Sequence, residues 1–263
     1  MNLVAIDIGN TNISVGLFLK GVEQFIKTAG GAEKEKVTAN LKEAWEKIPV
    51  SKRSKEGKRD GVAIASSVKP VWTEMVRRIV NEQLGTKLLI IGEDIPYPID
   101  LATEKSNKVG TDRIVAAAAA YSVVGDAVVV LQVGTAVTID LVDENGVFRG
   151  GVICPGFEAS SQALKDSTAQ LPKIEIHKPA EVYGRNTTEA INSGLYYSAI
   201  ATLQEMIRRY AEILGRWPQT VLTGSGAALI KDDCEFIDSY VPNLVVKGIA
   251  LSYRKYIDEK SNT

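Results

Sequence analysis

Asp7, Gly9, Asn10 and Thr11 stand at the end of an apolar run, Leu3 to Ile8. A carboxylate at a strand tip followed by a Gly-Asn-Thr turn is suited to hold a nucleotide's phosphates. The turn's N–H groups and hydroxyl can face phosphate oxygens. Gly9 permits a positive φ and a close backbone approach. Asp7 can carry Mg2+, which takes few carboxylates and keeps part of its water. The string Gly9-Asn10-Thr11-Asn12 is also ordinary β-turn chemistry, so a second occurrence matters. When the two halves of the chain are laid over one another, Asp7-Ile8-Gly9-Asn10-Thr11 meets Gln132-Val133-Gly134-Thr135-Ala136. Two such turns facing across a cleft would clamp a nucleotide's phosphates.

Gly110-Thr111-Asp112-Arg113 opens an apolar helical stretch. A carboxylate in a first helical turn is favoured by the helix dipole, and that alone accounts for Asp112. The alternative is chemical: Asp112 as a general base beside Arg113, a cation able to bind a carboxylate or phosphate. Thr223-Gly224-Ser225-Gly226 follows a short apolar strand and precedes a helix, so it is either a plain turn or a loop passing under an adenine or ribose. Gly150-Gly151 and Cys154-Pro155-Gly156 form a rigid, small-residue segment suited to a cleft wall. The single histidine, His177, assembles into no Ser-His-Asp set or metal cluster. Cys154 and Cys234 lack metal-ligand spacing and read as buried free thiols.

The elements that must position these residues follow from local pattern. Strands are expected at Asn2 to Ile8, Ile13 to Leu19 and Val22 to Thr28, a helix at Glu33 to Lys47, and a basic loop at Ser51 to Asp60. A strand at Gly61 to Ser66, a helix from Pro70 to Leu84 and a strand at Lys87 to Ile91 complete a β-β-β-α-β-α-β half. A helix from Gly110 begins the second half. There the strands are Ala127 to Val133, Ala136 to Val142 and Val147 to Ile153, with helices at Phe157 to Ser167 and Thr187 to Leu214. A strand at Thr220 to Thr223, a short helix at Gly226 to Lys231, a strand at Glu235 to Asp238 and a helix at Gly248 to Lys260 close the chain. The polar, proline-containing stretch Asp94 to Asn107 suggests a boundary, giving units 1–107 and 108–263.

The 263 residues carry 31 Lys and Arg against 32 Asp and Glu, a net charge of -1. No long-range field attracts a polyanion, so nucleic acid and anionic membrane are not expected partners. The longest apolar run, Ile114 to Val124, is about half the length that crosses a bilayer. The start of the chain has no basic leader. A soluble, cytoplasmic protein is expected.

Taken in order, these motifs resemble the type III pantothenate kinase family. The matching phrases run from Ile6-Asp7-Ile8-Gly9-Asn10-Thr11 through Val109-Gly110-Thr111-Asp112-Arg113-Ile114 to Gly134-Thr135-Ala136-Val137-Thr138-Ile139-Asp140. Gly150-Gly151-Val152-Ile153-Cys154-Pro155-Gly156, Gly184-Arg185-Asn186-Thr187 and Thr223-Gly224 follow. The resemblance implies an α/β, duplicated ribonuclease-H-like (actin-like ATPase) fold with two similar halves and an interdomain cleft. It implies a homodimer, and transfer of the γ-phosphoryl of ATP to pantothenate, the first step of coenzyme A biosynthesis. On the same grounds Asp112 is the general base and Gly110, Asp112, Arg113 and Thr187 meet the pantothenate, Thr187 from the neighbouring subunit. Asp7 serves Mg2+, and Asp7, Gly9, Asn10, Thr11, Gly134, Thr135, Thr223 and Gly224 meet the ATP. The family usually has Asp at the position of Gln132, where it supports a monovalent cation such as K+ or NH4+. The neutral Gln132 puts that cation in doubt, and Ala116 stands where the family often has Asn. A catalytically weak homologue with a binding or regulatory role is the alternative that Gln132 leaves open.

Overall fold

Two stretches of this chain each build a sheet with the same strand order. In the computed structural model, which describes residues 1–51, 57–104 and 108–261, the first stretch gives β1 (Leu3–Ile8), β2 (Asn12–Leu19), β3 (Val22–Gly30), α1 (Lys34–Glu46), β4 (Val62–Ser67), α2 (Pro70–Leu84) and β5 (Leu88–Ile90). The sheet order is β3-β2-β1-β4-β5. β1 runs antiparallel to β2 and parallel to β4, and β4 is parallel to β5.

The rest gives β6 (Asp100–Leu101), α3 (Thr111–Val124), β7 (Val128–Val133), β8 (Ala136–Val142), β9 (Val147–Pro155), α4 (Phe157–Ser167) and α5 (Thr187–Leu214). It ends with β10 (Gln219–Thr223), α6 (Ala227–Ile230), β11 (Ser239–Tyr240) and α7 (Leu244–Ser261). Here the order is β11-β10-β7-β8-β9-β6. Read from β9 to β11, it repeats the first sheet strand for strand, with the same parallel and antiparallel pairings. This is the duplicated ribonuclease-H-like fold.

The local chemistry explains the elements. β1 and β7 are central and almost wholly buried, so apart from Asp7 and Gln132 they read as continuous apolar runs rather than alternating ones. Pro70 opens α2 without wasting a donor, and Gly85, at φ 63°, ends it in the left-handed conformation. The side chain of Asn186 accepts from the N–H of Glu189, whose carboxylate accepts from the N–H of Arg185. This reciprocal cap starts α5 where the sequence suggests.

Contacts group the chain differently from a division at 107/108. One compact unit is Met1–Asp100, Glu104–Ala119 and Asn243–Thr263; the other is Leu101–Thr103 and Ala120–Pro242. The cause is α7, which packs on β1, β2 and β4, together with the first turns of α3. The first core joins Ile6, Ile8, Val15 and Leu41 to Val76 and Val80; the second joins Leu131, Ile139, Tyr196, Leu203 and Leu222.

Three further differences have local causes. α7 begins at Leu244, before the expected Gly248, because Leu244, Val245 and Val246 are buried along with Gly248. Glu235 to Asp238 is not a strand. The Asp238 carboxylate accepts from the N–H and hydroxyl of Thr220 at 2.7 and 2.8 Å, which holds this stretch in a turn until Ser239 and Tyr240 pair with Val221 and Leu222. β6, only two residues long, has no pattern to read. Parts of the basic loop Ser51 to Asp60 and of the boundary stretch Asp94 to Asn107 lie outside the described residues.

Candidate active site

β1 carries Asp7 to the mouth of the first turn, where the N–H of Gly9 donates to the carbonyl of Asn12 at 3.0 Å. Gly9 does not use the positive φ that glycine permits. Its requirement is space, since a Cβ there would stand 3.2 Å from the Asn12 oxygen. Strand register sets Ser66, Asp7, Ser14 and Thr28 in one row across β4, β1, β2 and β3. Ser14 and Thr28 satisfy each other at 2.9 Å. Asp7 Oδ1 and Ser66 Oγ are sealed from solvent and have no hydrogen-bond partner in the protein. Such groups are rare, and each costs about 1–3 kcal/mol.

Asp112 lies in the first turn of α3, and its Oδ1 accepts from the N–H of Arg113 at 2.9 Å. The fold brings it close to Asp7. Burial first, and the charge of Asp112 second, raise the Asp7 carboxyl from 3.8 to about 7. Burial also raises Asp112, against the pull of the Arg113 N–H and the Arg113 charge. The first unit therefore assembles Asp7, the Gly9-Asn10-Thr11 turn, Gly110, Asp112 and Arg113.

Three supports of this turn escape a reading of motifs. The N–H of Gly31 donates to the carbonyl of Thr11 at 2.9 Å. A Cβ on Gly31 would lie 2.0 Å from the Trp72 ring, so glycine is required there. The Lys69 ammonium donates to the carbonyl of Asn10 at 2.9 Å and lies 3.4 Å over the Trp72 ring. The one signal in the sequence is the Gly30-Gly31 pair at the end of β3.

The second unit brings together Gln132, Gly134, Thr135, Thr223 and Gly224. Thr223, Gln132 and Thr138 form a row across β10, β7 and β8, the counterpart of Ser66, Asp7 and Ser14. Gln132 Oε1 and Thr138 Oγ1 are sealed and without a hydrogen-bond partner. Gly224, at φ +102°, lies under Val133, where a Cβ would meet the Val133 oxygen at 2.2 Å. The N–H of Gly226 donates to that oxygen at 2.9 Å, and the N–H of Gly156 to the carbonyl of Thr135 at 3.1 Å. Thr187 is exposed at the start of α5. The backbone N–H of His177 donates to Asn192 Oδ1 at 3.0 Å, an ordinary structural role. Cys234 is buried, which pushes its thiol up to about 11, whereas Cys154 on β9 is only half-buried.

The family model for type III pantothenate kinase matches residues 3–209. A type III pantothenate kinase of Dehalococcoides mccartyi is 33% identical over 268 residues, covering 96% of this chain and 97% of its own. One from Agathobacter rectalis is 34% identical over 255 residues, covering 96% and 97%. The chain belongs to the type III pantothenate kinase family. Among solved structures, the activator of 2-hydroxyisocaproyl-CoA dehydratase from Clostridium difficile, with bound ADPNP, superposes with a TM-score of 0.53 at 9% identity. It covers 100% of this chain and 98% of its own, a likeness of fold alone.

The residues of this kinase can be tested against the ions its family implies. Asp7 offers a sealed carboxylate oxygen with no partner, the donor a magnesium ion or one of its waters would take. Among the described residues no group of three or more His, Cys, Asp or Glu could hold a metal. That is compatible with magnesium, which uses one or two carboxylates and completes its shell with water and phosphate. Gln132 Oε1 and Thr138 Oγ1 suit a monovalent cation in being oxygens, but neither is charged. No described helix is long and apolar enough to cross a membrane.

Proposed function

We infer that this chain carries out its family's reaction, transfer of the γ-phosphoryl of ATP to the primary hydroxyl of pantothenate in coenzyme A biosynthesis, with Asp112 as general base. The observation that carries the assignment is the meeting of Asp7 and Asp112, two carboxyls raised chiefly by burial. A raised carboxyl is a better proton acceptor near neutral pH than a solvated one. Asp112 takes the hydroxyl proton as the oxygen attacks phosphorus and ADP departs. Arg113 and Gly110 hold the pantothenate, with Thr187 supplied by a partner copy. Asp7 anchors magnesium, which when bound neutralises phosphate charge. The N–H groups and hydroxyls of Gly9, Asn10, Thr11, Gly134 and Thr135 serve the phosphates, and Thr223 and Gly224 the nucleoside. ADP release from ATP that depends on pantothenate tests the reading; release indifferent to pantothenate would overturn it.

The working form is a cytoplasmic homodimer. Light scattering on the active protein should give twice the 28.4 kDa chain mass, and a fully active monomer would contradict it.

Potassium or ammonium should matter little. A unit charge about 4 Å from a cation contributes about 4 kcal/mol at an effective dielectric of 20, and Gln132 supplies no such charge. Turnover is expected to be nearly the same in sodium, potassium, ammonium and a bulky organic cation at fixed ionic strength. Q132D should introduce sensitivity to potassium. Strong, saturable potassium activation of the parent protein would refute this.

A further inference from the structure

We propose that Lys69 contacts the phosphoryl group in transit from ATP to the acceptor. The proposal rests on the kinase reading above and adds a catalytic residue to it.

Lys69 follows β4 and caps α2. Its ammonium is anchored on the carbonyl of Asn10, in the middle of the phosphate turn, and is backed by the Trp72 ring. The ring is fixed in turn by its seat against Gly31. Lys69 also lines a cavity of about 540 Å3 whose walls include Ser67, Thr73, Tyr97, Gly110 and Thr111. This cavity opens at the carboxyl ends of the parallel strands β4 and β5, where open α/β sheets hold their ligands. One cation therefore borders both the turn assigned to the donor phosphates and the segment that leads into Asp112.

The carboxylates around the cavity are engaged elsewhere. Glu93 meets Arg77 at 3.2 Å and Glu74 meets Arg78 at 3.4 Å. No carboxylate pairs with Lys69 among the described residues. An ammonium has three donors, and Asn10 takes one. In the transfer, the bond from the acceptor oxygen to phosphorus forms as the bond to the ADP oxygen breaks. The acceptor proton goes to Asp112, and negative charge spreads over the three equatorial oxygens. The free donors of Lys69 are placed to meet those oxygens, as a preorganised cation does in phosphoryl transfer.

The alternative role for Lys69 is to brace the turn, and nucleotide binding separates the two. Calorimetry with Mg2+ would compare K69M and K69R with the parent protein for ADP and for a non-hydrolysable ATP analogue. A charge-assisted contact to the γ-phosphate predicts that K69M loses about 10- to 100-fold in affinity for the analogue. ADP binding should hold within a few-fold, which also shows that the variant is folded. K69R should recover part of the loss. Equal losses for ADP and the analogue would mean that Lys69 only braces the turn, and no loss for either would remove it from the site; both overturn the proposal and leave the kinase reading intact. Failure of the parent protein to bind either nucleotide would overturn the kinase reading, and this proposal with it.

Discussion

Asp112→Asn should lower turnover by about 10²- to 10⁴-fold, the usual contribution of a positioned general base. The amide keeps the shape and can still accept from the Arg113 N–H, now 2.9 Å from Oδ1, so the first turn of α3 should stay in place. Affinity for the ATP analogue should change little, because the role proposed for Asp112 is at the acceptor rather than the nucleotide. Steady-state kinetics on the purified variant, alongside its unfolding curve, reads both effects. Turnover within a few-fold of the parent would remove Asp112 from the base role. The substitution should also relieve Asp7, since the charge of Asp112 is the second cause that raises the Asp7 carboxyl.

Asp7→Asn should damage activity and yet stabilise the ligand-free protein. Its carboxyl lies at about 7 in the fold against 3.8 for the ordinary group. Well below pH 3.8 it is protonated in the folded and the unfolded chain alike and costs nothing. As pH rises towards 7 the unfolded chain ionises while the fold resists, so stability falls throughout that window. Above about pH 7 the loss is complete, on the order of 4 kcal/mol by linkage. The asparagine carries no such cost. Urea unfolding should therefore show the variant more stable at pH 8 and nearly equal to the parent at pH 4. A gap of the same size at both pH values would disprove the assignment. In turnover the variant should need more magnesium, because it lacks the anionic oxygen that would hold the ion; a magnesium titration that overlays the parent's would refute that role.

Much of this could be read from residues because the signals are local. Pro70 and the left-handed Gly85 delimit α2, Asn186 and Glu189 start α5, and the apolar run into Gly9-Asn10-Thr11 yields β1 and its turn. The repeat of that turn at Gly134-Thr135 is real at the level of strand order. Other features depend on packing between distant segments. Nothing near Asp7 in sequence announces Asp112. Gly31, Lys69 and Trp72 act on the turn from outside it and belong to no motif. α7 resembles any amphipathic helix, and only the assembled first sheet shows which strands it covers. Ser66 and Thr138 become notable only when register sets each beside a site residue and leaves its hydroxyl unpartnered.

The place of α7 also bears on how the chain is made. β1 leaves the ribosome before the second unit, yet the helix that covers it, Leu244–Ser261, leaves after that unit. Between them the ribosome synthesises nearly all of the second unit, whose sheet order β11-β10-β7-β8-β9 needs nothing from beyond Tyr240. The second sheet can close while the first still has an open apolar face. Contacts of such long sequence separation form slowly, and an uncovered strand surface in the interim invites misassociation. The unit that holds Asp7 and Asp112 is thus begun before the second unit and completed only after it, when α7 has emerged.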